Sequence, residues 1–116
     1  MYIGQQLTSA VLLTIALVGS GASAAVFTIT AYTSSGTQID ASDLKIREVY
    51  TNATGVATDN TTNPAAYPIN RTINASATAP SVTFTITQKS TGKTTSLTLH
   101  GNRPATGAVL LNPVLP

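Results

Sequence analysis

The first charged residue of this chain is Asp40, and the thirty residues that open it, MYIGQQLTSAVLLTIALVGSGASAAVFTIT, carry no charge at all. From Leu7 to Val18 every side chain is apolar except Thr8, Ser9 and Thr14, whose hydroxyls can bond back to the preceding turn of a helix. A helix that is apolar around its whole circumference must be buried on every side. Built as a helix, Ile3 to Ala25 forms a rod of about 35 Å at 1.5 Å per residue, long enough to cross a bilayer core of about 30 Å. The pattern predicts a hydrophobic helix over residues 1–25 that packs through Ile3, Leu7, Val11, Leu12, Ile15, Leu17 and Val18. Small residues recur along it at Gly4, Ala10, Ala16, Gly19, Gly21 and Ala24 and allow neighbouring helices to approach closely.

Two other fates fit a segment of this kind. GASAA places Ala22 and Ala24 in an A-x-A pattern after an apolar run, as at a secretory cleavage site, but MYIGQQ lacks the Lys or Arg that normally precedes such a run. A permanent single-span anchor calls for basic residues at its cytoplasmic flank and aromatic residues at both interfaces. Only Tyr2 and Phe27 are placed to serve as belts, and the nearest basic residue is Lys45. Packing of helix against helix is therefore favoured, after a stage in the membrane.

Beyond Ala25 the apolar period falls to two. VFTITAYT, SVTFTIT and TSLTLH alternate apolar residues with hydroxyl-bearing ones, and DLKIREVYT and AVLLNPVL read as further strands, with Pro113 ending the pairing of the last. KSTGK joins the second and third of these as a hairpin with Gly92 at the bend. The expected core is Phe27, Ile29, Leu44, Ile46, Val82, Phe84, Ile86, Leu97 and Leu99. Residues 26–116 thus form a second unit of about ninety residues, enough for one small β-sandwich. Charged residues make up 9% of the chain, against about a quarter in ordinary soluble proteins, so Thr and Ser must supply its solubility. The chain has no cysteine, so its stability comes from packing, glycans or assembly.

Residues 52–80, rich in Asn, Thr, Ala and Pro, read as loop. They hold four N-x-S/T triplets, at Asn52, Asn60, Asn70 and Asn74, which are candidate sites for N-linked glycans on an exported surface. Thr-x-Thr rows can order water as ice-binding faces do, although Thr is also the polar residue best suited to an exposed strand.

Catalytic chemistry finds little support. His100 is the only histidine and lies at a predicted strand end, which leaves no local Ser-His-Asp arrangement. Asp40, Asp43 and Glu48 could contribute oxygen ligands to a hard cation, yet the same residues suit a turn leading into the Leu44 strand. GSG at 19–21 is too short for a phosphate loop, and a net charge of +2 without a basic stripe gives no footprint for nucleic acid. No enzyme activity, metal or cofactor is expected.

An uncharged N-terminal segment, MYIGQQLTSAVLLTIALVGSGASAA, joined directly to a Thr-rich β-domain with clustered sequons, resembles the archaeal type IV pilins. The resemblance implies an α+β chain: a hydrophobic helix followed by a small antiparallel, Ig-like β-sandwich. It also implies a helical homopolymer with the helices as core and the often glycosylated β-domains as an adhesive outer sheath at the cell surface. Bacterial relatives carry Glu at the fifth mature position, where this chain has Gln5, and the cleaved leader is absent, which implies a mature form with Met1 exposed by a prepilin-type peptidase. The alternatives are a secreted monomeric adhesive or carbohydrate-binding domain, and the coat protein of a filamentous virus.

Overall fold

A computed structural model describes residues 25–76, Thr78, 81–99 and 108–116. These fold into seven strands: β1 (Ala25–Ile29), β2 (Leu44–Thr51), β3 (Ala57–Thr62), β4 (Ile69–Ile73), β5 (Val82–Gln88), β6 (Thr94–Leu99) and β7 (Ala108–Leu111). One sheet has the order β4-β1-β7 and the other β3-β2-β5-β6. Every pairing is antiparallel except β1 with β7, which is parallel.

Alternation drives the two sheets together. On β1, β2 and β5 every second side chain is buried, and the facing rows close on a core that includes Phe27, Ile29, Leu44, Ile46, Val82, Phe84, Ile86, Leu97 and Leu99. Phe27 and Phe84 meet across the sheets with ring centroids 5.4 Å apart and planes tilted by 55°, which sets β1 over β5. Each ring, wholly removed from water, contributes about 1.5–3 kcal/mol through burial alone. Leu111 and Leu115 complete the core from the C-terminal stretch.

The expected α+β class is corrected. The described residues are all-β, with a single 3-10 turn at Ala41–Asp43 and no α-helix. Ala25, read above as the end of a helix, is the first residue of β1 and fully buried. No helix among the described residues is long and apolar enough to cross a membrane. The expected antiparallel Ig-like arrangement is also only partly matched, because β7 runs parallel to β1 at the edge of its sheet. The reason is visible in the register: Val26 to Ile29 align with Ala108 to Leu111, so the first and last strands lie side by side in the same direction.

Two strands, β3 and β4, lie within the stretch read as loop. ATDNTT on β3 has no buried residue, hence no apolar alternation to detect, and INRTI on β4 places Arg71 at the inward position between Ile69 and Ile73.

Tyr67 ties the connection after β3 to the rest of the domain. Its hydroxyl donates to the Ile39 carbonyl at 2.7 Å and accepts from the Ala31 amide at 3.2 Å, while the half-buried ring packs on the core. Partial burial pushes the phenol pKa up. Tyr67→Phe is expected to cost about 1–3 kcal/mol, because it leaves a carbonyl and an amide without their side-chain partner. Urea denaturation of the full-length chain in detergent, followed by circular dichroism, measures this directly.

Candidate functional surface

The outward face of the four-stranded sheet is a grid of hydroxyls. Thr83, Thr85 and Thr87 on β5 stand opposite Thr98, Ser96 and Thr94 on β6. Each pair is hydrogen-bonded across the strands, at 3.1, 3.2 and 3.0 Å respectively. The strands form this way because Thr is β-branched and fits a half-exposed pleat, and its hydroxyl meets a like partner directly across. The grid continues onto β2 with Lys45, Arg47 and Val49. Arg47 donates from Nε and Nη2 to the two carboxylate oxygens of Asp59 on β3, at 2.9 and 2.6 Å. This pairing raises the Arg47 pKa and lowers that of Asp59, but both side chains are more than half exposed, so the bridge adds little to stability.

The four sequon asparagines occupy different settings. Asn52 sits in the tight turn from β2 to β3, where its Oδ1 accepts from the Thr54 amide, the Thr54 hydroxyl and the Val56 amide at 2.9, 2.7 and 3.0 Å. Gly55 holds the turn with φ of 88°, a conformation that disfavours any side chain. Asn74 follows β4 at the same end of the domain: Ala75 bridges to Asn52, and the Asn74 carbonyl accepts from the Ala53 amide. The hydroxyl residue of that triplet, Ser76, is buried and bonded to Thr78. Asn70 lies exposed on the outward face of β4, and its Oδ1 accepts from the Thr28 hydroxyl at 2.7 Å. Asn60 is exposed at the middle of β3 and makes no side-chain hydrogen bond with a described residue.

One charged pair lies between the sheets. Glu48 on β2 points inward and is 1% exposed, and both its oxygens accept from Arg71 on β4, Oε1 from Nε at 2.7 Å and Oε2 from Nη2 at 3.2 Å. The bond to Glu48 raises the Arg71 pKa. Tyr50, two residues along the same face of β2, packs partly buried beside the pair, and burial pushes its phenol pKa up. Glu48 is thus not the cation ligand expected beside a turn. The structure gives it to an arginine instead, and the signal that could have found this was an acid at an inward position of the LKIREVY alternation.

Asp43 likewise has a structural role. Its Oδ1 accepts from the Ser90 amide at 2.9 Å, and its Oδ2 from the Ser90 hydroxyl at 2.6 Å and Gln88 Nε2 at 3.1 Å, which pins the β5–β6 hairpin turn where Gly92 takes φ of 76°. Asp40 is exposed, and no cluster of three or more His, Cys, Asp or Glu side chains suited to a metal occurs among the described residues. The Ser90 bond holds the Asp43 pKa below its ordinary value. A lowered folded pKa gives stability that is present above the unfolded value of about 4 and is lost as pH falls through the folded one. Thermal midpoints measured from pH 6 downward are therefore expected to fall less steeply below about pH 4 for Asp43→Asn than for the native chain.

Ile3, Leu7, Val11, Leu12, Ile15, Leu17 and Val18, expected to pack a polymer core, lie outside the described residues, as does His100. Comparison with protein-family models, with curated proteins and with solved structures finds no match.

Proposed function

We propose that this chain is the structural subunit of an extracellular, type IV pilus-like filament. Subunits associate through the apolar segment 1–24, and the two-sheet domain is presented outward as a glycan-bearing, adhesive surface. The observation that carries this reading is the junction at Ala25. In the sequence a charge-free segment of 24 residues immediately precedes a strand whose first residue is already fully buried. At about 25 cal/mol for each Å² of apolar area removed from water, such a segment has a strong drive to associate, and the domain attached to it is held close to the point of association.

The domain suits an outer sheath. Its exposed faces carry hydroxyls and amides with few charges, so they stay hydrated while adding little repulsion between neighbouring copies in a repeating polymer. Before assembly the apolar segment resides in the membrane. No cofactor and no nucleic acid has a part in this reading.

Electron microscopy of the full-length protein purified from its natural host tests it. Helical filaments free of nucleic acid, built from chains that retain residues 1–24, are expected. Discrete particles lacking that segment would favour a secreted monomeric adhesive domain, and nucleic acid inside the polymer would favour a viral coat.

A further inference from the structure

The two sheets are unequal, and the mismatch falls on one flank. Arg71 bonded to Glu48 sets β4 over β2, and Phe27 against Phe84 sets β1 over β5, so β3, beyond β2, has no strand across from it among the described residues. Cross-strand partners share a face, and in the β2–β3 register Thr58, Asn60 and Thr62 stand opposite Tyr50, Glu48 and Ile46. These three polar residues of β3 therefore point inward over a ledge where a fourth strand of the smaller sheet would lie. Tyr50 and Arg71 form the back of that ledge, Arg71 with 28% of its side chain exposed.

The geometry points to an N-linked glycan on Asn60 as the group that fills the ledge. Asn60 begins a sequon whose hydroxyl residue, Thr62, lies on the same inward face, and its own amide is unengaged by the described residues. The other three sequon asparagines lie away from this ledge: Asn52 in the β2–β3 turn, Asn70 on the outward face of β4 beside Thr28, and Asn74 beyond the end of β4. A sugar on Asn60 projects towards Tyr50 and Arg71, where its apolar ring face covers the phenol and its hydroxyls meet the outer edge of the guanidinium. In the transfer, Asn60 Nδ2 bonds to the anomeric carbon of a sugar carried on a lipid phosphate. The anomeric carbon–oxygen bond breaks, the phosphate leaves with the electron pair, and Nδ2 releases one proton to solvent. Transfer precedes the pairing of β3, which fixes the backbone of Asn60 to Thr62 in the sheet. The inference rests on the export of the chain that the filament reading includes.

The test is site-resolved mass spectrometry of the full-length protein from its host, with Asn60→Gln, Thr62→Ala and Asn70→Gln expressed in the same cells, together with nitration of Tyr50 read by peptide mapping. A glycan on the Asn60 peptide is expected, lost in both Asn60→Gln and Thr62→Ala, with Tyr50 nitrated several-fold faster in those two variants and unchanged in Asn70→Gln. A bare Asn60 in a chain glycosylated elsewhere overturns the inference, as does a glycan on Asn60 whose loss leaves the nitration of Tyr50 unchanged. A filament with no sugar at any sequon overturns it too, while leaving the filament reading standing. Absence of filaments with Asn60 glycosylated sinks only that wider reading.

Discussion

Glu48→Ala is expected to destabilise the domain by about 3 kcal/mol, the lower part of the range for breaking a buried ion pair. Glu48 is almost wholly buried and satisfies two donors of Arg71, so its removal leaves a guanidinium facing the space between the sheets with nothing to neutralise it. The partial exposure of Arg71 moderates the loss, because the side chain can turn towards water on the open flank. Breaking the pair and removing it are different experiments. In a Glu48→Leu/Arg71→Leu double variant no charge is stranded, and apolar packing replaces an interaction whose desolvation had offset much of its attraction, so stability near that of the native chain is expected. Urea denaturation of the full-length chain in detergent provides both values. A loss below about 1 kcal/mol for Glu48→Ala would put the pair on a par with exposed ion pairs.

Leu12→Lys is expected to abolish polymerisation while leaving the two-sheet domain folded. The substitution places an ammonium in a segment with no carboxylate before Asp40, and an uncompensated charge buried among apolar neighbours costs several kcal/mol even after relaxation. In a symmetric polymer every subunit bears that cost. The buried core residues from Ala25 to Leu115 form one cluster drawn from both sheets, so circular dichroism of the variant is expected to retain the native β signal. Sedimentation and electron microscopy read the outcome, and filaments of normal length from Leu12→Lys would show that the segment is not where subunits join.

The parts of the fold legible in the sequence are those where burial imposed alternation. VFTIT, DLKIREVY, SVTFTIT and TSLTL each bury every second residue, and the nine residues expected in the core are all buried. The Gly92 hairpin was equally plain, since its bend requires a positive φ. What escaped were the strands that lack this signature. β3 overhangs its neighbours, so neither of its faces had to be apolar, and its sequence is indistinguishable from loop. β4 alternates, but a partly buried cation at its centre breaks the hydrophobic pattern, and the carboxylate that neutralises it lies 23 residues away on another sheet. Sequon spacing marked the candidate glycan sites, yet only the cross-strand register separates Asn60, facing the ledge, from Asn70, facing outward beside Thr28. The α+β expectation rests on the opening segment, whose hydropathy speaks of burial and says nothing about the strand that begins at Ala25.

The parallel neighbours β1 and β7 have a mechanical consequence. Because both run the same way, the chain joins the domain at one end of this pair and leaves it at the other, beside Tyr32. Tension applied between Ala25 and Leu115 therefore slides the two strands lengthwise past each other and does not peel them apart. The bonds from Thr30 to Leu111, Tyr32 to Pro113 and Leu115 to Tyr32 extend the ladder beyond the strands themselves. Loaded in shear, these bonds share the force and must fail together, whereas an unzipping hairpin gives way one bond at a time. A domain with this geometry yields abruptly at high load and holds its shape below it.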